Sequence, residues 1–216
     1  MRSHSSVVMR NAIELSGYAD DPISLILAAQ MHDIGIPYTK GRKIVESEIA
    51  QAYGDKRIEL ERLAIEYRME HMALGVEMAK EVLIDLRIDE GVIDRTLDLI
   101  KYHDMWKLNK HYMYSNDGLL LCDADVLWVW SSEGIDRDIE RATENGLEVL
   151  TRKEQFEYNK SQFYWRLSSH GKIIFKRYEA LVYEEKDLEC DGACKSDCPF
   201  CFGDNENDND MEELWG

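Results

Sequence analysis

Apolar residues along this chain recur at helical spacing. Val8, Ala12 and Leu15 fall at i, i+4 and i+7, one face of a helix. Asp21 followed by Pro22 supplies an N-cap and a first-turn residue for a second helix through SLILAAQMHD, which Gly35 and Pro37 bring to an end. Residues 55–86 read as helix, with a break before Glu70 left open, and Asp89 opens another containing VIDRTLDLIKYHD. Ser115-Asn116-Asp117-Gly118 forms a turn and cap ahead of LLLCDADVLWVW, and two or three further helices cover about residues 135–167 and 172–186. Alternation of period two is not sustained anywhere. LLLC by itself would suit a buried strand, but its neighbours fit a helix better. The pattern predicts an all-α fold without internal repeats. It stops near Leu188, where four cysteines precede DNENDNDMEE, a polar run too poor in apolar surface to order itself. The expected organisation is a compact helical domain over 1–187 and a short Cys-rich acidic tail over 188–216.

Composition and charge narrow the function. With 216 residues and 44% apolar content the chain can build a real core, and three prolines exclude a proline-rich scaffold. No run approaches the ~20 apolar residues that span a bilayer, and MRSHSSVVMRNAIELSG lacks a signal-peptide pattern, so a soluble, cytoplasmic protein without a membrane partner is expected. Twenty-six basic against 43 acidic residues leave a net charge of −17. Phosphates along a nucleic acid polymer require the opposite balance, so that partner is excluded. From Val182 to Gly216 twelve acids face two lysines, which concentrates the acidity in the tail. A small phosphorylated molecule remains compatible if basic side chains gather locally.

Four of the six histidines sit on the apolar stripe of a helix. His4 lies one turn before Val8, His32 follows Leu25, Ala28 and Ala29, His71 precedes Gly75 and Ala79, and His103 follows Thr96, Leu99 and Ile100. A single such histidine is ordinarily a satisfied core residue. Four on four helices point to a shared purpose. Asp33 adjoins His32 at a helix C-terminus, the unfavourable end of the dipole for a carboxylate. Asp125 is flanked by Leu121, Cys122, Trp128 and Val129, so a helix there aims it inward, where it needs a partner. That partner is either an Arg or Lys, which the local apolar face does not supply, or a metal, for which Asp and His are both ligands.

His4, then His32-Asp33 in MHDIG, then Asp125 in DADVLW resembles the H…HD…D signature of the HD superfamily of metal-dependent hydrolases. AAQMHDIG is similar to that family's helix ending in the HD pair, and LLLCDADVL to its last ligand helix. The resemblance covers about residues 2–130. It selects Asp125 over Asp123, which stays a weaker candidate, and it implies a compact helical HD-domain bundle. EHMALGVEMAKEVL, with His71, and IKYHDMW, with His103, resemble the extra histidines of HD subfamilies that hold two metals. By that resemblance Asp33 bridges two divalent transition metals (Fe, Mn, Zn, Co or Ni). His4, His32 and Asp125 complete one site, and His71 and His103 hold the other. The alternative is a mononuclear enzyme in which His71 and His103 line the pocket and contact substrate. Two departures are evident. Ile36-Pro37 follows HDIG where many HD phosphohydrolases carry Lys, and no GYP element follows Tyr102-His103-Asp104, unlike in HD phosphodiesterases of cyclic dinucleotides.

Lys40, Arg42 and Lys101 lie near the ligand segments and are substrate-contact candidates, although charged residues near helix ends are ordinarily solvated. Lys107, Lys110 and His111 in a polar stretch read the same way. Tyr102 and Trp106 suit either stacking on a ligand or the core. Cys190, Cys194, Cys198 and Cys201, spaced C-x3-C-x3-C-x2-C, suit Zn or an Fe–S cluster, or form a thiol-rich tail without a resident metal. Cys122 reads as inert core.

The expected function is a metal-dependent phosphohydrolase acting on a small phosphoester, a nucleotide in the first instance. A metal-activated water serves as nucleophile, and Asp33 or a nearby carboxylate handles the proton. The alternatives are an HD-fold di-iron oxygenase with the same six ligands and a metal-bound regulatory module. The sequence does not specify the oligomeric state.

Overall fold

The computed structural model describes residues 4–41, 43, 46–108 and 112–184. Arg42, Lys110, His111 and the whole tail, with Cys190, Cys194, Cys198, Cys201 and the division at 187/188, lie outside the described residues. Within them the fold is all-α, with no strand. No described helix is long and apolar enough to cross a membrane.

In chain order, α1 (His4–Leu15) and α2 (Pro22–Met31) form an antiparallel start. The short α3 (Glu46–Gln51) leads into the long α4 (Gly54–Asp85), which packs beside α5 (Glu90–Tyr102). The single turn α6 (Met105–Leu108) precedes α7 (Asn116–Val126), which lies against α1 and α2 and runs into a 3-10 turn at Leu127–Trp130. Three further helices, α8 (Ser132–Glu144), α9 (Arg152–Phe163) and α10 (Ser169–Glu184), close the other end of the bundle.

Local chemistry explains these boundaries. The Asp21 carboxylate accepts the Ser24 amide at 3.2 Å, with Pro22 in the first turn, and Asp89 caps α5 by accepting the amides of Gly91 and Val92. Ser115 caps α7 and Ser131 caps α8. Helix α4 runs without a break through Glu70 for 32 residues, because nothing in IEYRMEHMAL interrupts helical hydrogen bonding. The core is continuous. Ala12 of α1 and Ala28 and Ala29 of α2 are fully buried, and their small side chains let these helices approach closely. At the far end Phe175 packs on Trp130 and Phe156, with ring centroids 4.8 and 5.6 Å apart.

One buried polar residue ties the layers together. Asn11 of α1 donates to the Ala124 carbonyl of α7 at 3.0 Å and accepts from the Tyr178 hydroxyl of α10 at 2.5 Å. Asn11 lies two turns beyond His4, and Ala124 immediately precedes Asp125. The link therefore fixes those two residues relative to each other.

Candidate metal centre

Helix α2 ends at Met31, so His32 is its C-cap and Asp33 opens the turn that follows. His103 caps α5 in the same way and is followed by Asp104. At both ends the imidazole meets a helix carbonyl left without an amide partner. His32 Nδ1–H donates to the Ala29 carbonyl at 2.9 Å, and His103 Nδ1–H donates to the Ile100 carbonyl at 2.7 Å. A carbonyl only accepts, so Nδ1 carries a proton in each ring and Nε2 is the nitrogen turned onward.

Those Nε2 atoms converge with others. His4 Nε2 lies 3.2 Å from His32 Nε2, and Asp125 Oδ1 lies 3.1 and 3.6 Å from the same two nitrogens. His71 Nε2, from the middle of α4, lies 3.3 Å from His103 Nε2. Asp33 stands between the two pairs. Its Oδ2 is 3.5 Å from both His4 Nε2 and His32 Nε2, while its Oδ1 is 3.5 Å from His103 Nε2 and 4.0 Å from His71 Nε2. His4, His32 and Asp33 form one group with metal-binding geometry, and Asp33, His71 and His103 form a second. Asp125 adds a carboxylate to the first. The structure thus brings all six of the expected residues into one cluster.

The donor set fits cations. Imidazole nitrogens 3.2–3.3 Å apart beside shared carboxylate oxygens call for positive charge among them, which a proton or a metal ion supplies. The two halves differ electrostatically. Burial opposes a charge on His32, but Asp33 and Asp125 push its pKa up to about 9. Burial likewise opposes ionisation of Asp33, yet His32 and His103 hold its carboxyl well below the usual range, and His32 and His4 do so for Asp125. In the other half, burial and the neighbouring His103 pull His71 down to about 4, so its imidazole stays neutral. The His71 Nδ1 is buried without a hydrogen-bond partner among the described residues.

His32, His71 and His103 are nearly inaccessible, whereas the side chains of His4, Asp33 and Asp125 are 31%, 25% and 22% exposed. Asp125 therefore does not point into a closed core, as its flanking residues suggested. It faces the open side of the cluster. Trp128 sets its ring edge-on to His4 with centroids 5.1 Å apart.

Glycine makes the arrangement compatible with the backbone. A Cβ on Gly35 would stand 2.3 Å from the His71 carbonyl oxygen and 2.6 Å from the Gly75 amide. The turn carrying Asp33 thus lies directly on the backbone of α4 at the residue that presents His71.

Asp104, Arg68 and Lys43 had no sequence signal of their own, whereas Lys107 was a pocket candidate. Asp104 is buried beside the cluster, with Oδ2 3.7 Å from His71 Nε2 and 2.9 Å from the Arg68 guanidinium, and its other oxygen pairs with Lys107. Burial would raise its pKa, but Lys107, His103 and Arg68 hold it low. The one available hint is that His103-Asp104 repeats the His32-Asp33 doublet. Lys107, read as part of a polar stretch, is largely covered, and Lys43 lies within electrostatic reach of Asp33 and Lys107. Asp123 stands apart from the cluster. It accepts the Ser168 amide at 2.9 Å and the Ser168 hydroxyl, anchoring the start of α10. Lys40 is exposed, with its backbone amide donating to Glu70 at 3.3 Å. Lys101 is exposed with its ammonium 4.8 Å above the Tyr102 ring. Cys122 is half-buried, its thiol directed at the His103 carbonyl at 3.5 Å. In comparisons with known proteins, the chain matches no family model, no curated protein and no solved structure.

Proposed function

We propose that this chain is an HD-type metal-dependent phosphohydrolase acting on a small phosphoester such as a nucleotide. The observation that carries the reading is Asp33, one oxygen of which serves His4 and His32 while the other serves His71 and His103. In this reading His4, His32, Asp33 and Asp125 hold one divalent ion, and Asp33, His71 and His103 hold a second. Four imidazoles favour Fe, Mn, Zn, Co or Ni over Mg. Bound there, such ions supply Lewis acidity toward phosphoryl oxygen and an activated water.

The chain's own residues take defined parts. His32 and His103, oriented by backbone carbonyls, keep their Nε2 lone pairs on the cluster. Asp33 acts mainly as a bridging ligand, because His32 and His103 make its carboxylate a weak base. Lys107, held by Asp104, sets a positive charge beside the reacting group, and Arg68 holds Asp104 from the other side. The oxygenase reading shares the six ligands, and activity separates the two.

A screen of phosphomonoesters and nucleotides with the chain loaded with Mn, Co, Zn or Fe tests the proposal. Metal-dependent phosphate release, lost in Asp33→Ala, is the expected result. No release on any substrate, together with oxygen consumption by the Fe-loaded protein, would overturn it in favour of the oxygenase. Full metal loading with neither activity would favour the regulatory module.

A further inference from the structure

One cavity is lined by Asp33 of the cluster, and a second lies near it without a cluster residue among the described residues of its wall. The first, of about 640 Å³, runs between α2 and α4 past Asp33, and among the described residues its wall is mostly apolar, with Leu27, Met31, Met78 and Val82 and no cation. The other, of about 590 Å³, lies behind His103, between α6, α7 and the 3-10 turn at Tyr164–Arg166. Among the described residues its wall carries Trp106, Tyr112, Tyr114 and Trp165 together with Lys107 and Arg166, and no carboxylate. Lys107, whose ammonium is paired with Asp104, and Arg166 are the basic residues of this wall among the described residues. The Arg166 guanidinium lies 4.2 Å over Trp106 and 5.2 Å from Trp165, so planar groups already stack in this wall.

The two features of the second cavity are joined through Lys107, which lines it while its ammonium pairs with Asp104 at the edge of the metal cluster. The Tyr114 hydroxyl closes the inner end, donating to the His103 carbonyl at 3.3 Å and accepting the Trp106 amide at 2.7 Å. We infer that this cavity is the subsite for the organic part of the substrate, that it takes a flat aromatic or heteroaromatic group, and that Lys107 receives the anionic group linking that ring to the cluster. The inference rests on the reading of the cluster as the reacting centre. Its volume suits a ring system with a short polar arm, since small-molecule sites span roughly 300–1,000 Å³. The cavity beside Asp33 has no basic residue in its wall among the described residues.

The test is calorimetric titration of the full chain, as purified and again after chelation, with 1-naphthyl phosphate, methyl phosphate and 1-naphthol. Naphthyl phosphate should bind at least about tenfold more tightly than either of the others, one stacked ring being worth about that factor. Two variants remove the ring site without touching the cluster. Trp165→Ala deletes a 70% exposed wall residue, and Leu119→Trp fills the cavity from a 44% exposed wall position. Each should bring naphthyl phosphate to within about threefold of methyl phosphate and leave methyl phosphate unchanged. Equal binding of the two esters by the wild type, no binding of naphthyl phosphate, or an advantage that survives both variants would overturn the inference. Naphthyl selectivity that both variants abolish, in a chain that takes up no core metal, would uphold the subsite while the reading of the cluster fails. Metal uptake without naphthyl selectivity would do the reverse.

Discussion

Replacing Gly35 with alanine should act on the cluster through the backbone alone. The residue has φ −76° and ψ −19°, a conformation open to any amino acid, so the cost is one of space. The added Cβ would lie 2.3 Å from the His71 carbonyl oxygen and 2.6 Å from the Gly75 amide, both backbone atoms that no rotamer change can move. Ordinary contact begins near 3.4 Å, so the turn and α4 must separate by about 1 Å. Overpacking of this kind costs about 1–3 kcal/mol. For a domain of this size that lowers Tm by roughly 4–8 °C at the middle of the range. The displacement falls between Asp33 and His71, so the half of the cluster built on His71 and His103 should lose metal affinity first. Thermal denaturation and elemental analysis read the two effects. Gly17→Ala is the control, because nothing lies within 4 Å of its Cβ position. Gly35→Ala with wild-type Tm and wild-type metal affinity would refute the reasoning.

Three further outcomes are expected. Asn11→Ala removes two buried hydrogen bonds joining α1, α7 and α10, and should cost about 1–3 kcal/mol in chemical denaturation. It should also weaken metal binding at the site proposed on His4 and Asp125. In the metal-free protein, burial opposes the charge on His32 but Asp33 and Asp125 hold its pKa at about 9, against 6.5 when unfolded. The resulting stabilisation, on the order of 3 kcal/mol, is complete below pH 6.5 and is lost as pH rises to 9. Bound metal should remove that dependence, which Tm measured at pH 6.5 and 9 with and without chelation will reveal. Lys107→Met leaves buried Asp104 with Arg68 as its remaining ion-pair partner among the described residues. It should destabilise by about 2–4 kcal/mol in urea titration, below the full range for breaking a buried pair because Lys107 is 22% exposed. Lys107→Arg should retain most of that stability.

The helices were legible because their determinants are local. Apolar spacing placed α1, the Asp21-Pro22 pair placed the start of α2, and Asp89 and Ser115 placed the starts of α5 and α7. The six ligand candidates were legible for a related reason, since polar residues on apolar stripes need partners and the family pattern indicated which residues to join. What lay beyond reach was tertiary. No local pattern says that Gly35 touches the backbone of α4, or that Arg68, 36 residues away in the chain, meets Asp104. Asp125 was expected to point inward because its neighbours are apolar. It is part-exposed because α7 ends at Val126 and the chain tightens into a 3-10 turn, which leaves the carboxylate at the rim. Trp106 illustrates a different limit. Its sequence context suits either core or ligand stacking, and only its position on the wall of a cavity distinguishes them.

The central claim is that Asp33 joins two metal sites in one cluster. Its most direct test is elemental analysis of the full chain after Mn or Co reconstitution, comparing wild type, the double variant His71→Ala with His103→Ala, and Asp33→Ala. Because the tail cysteines are present in all three, the differences count core metals alone. The account predicts one fewer ion per chain in the double variant and two fewer in Asp33→Ala. A double variant that retains the wild-type count would contradict it.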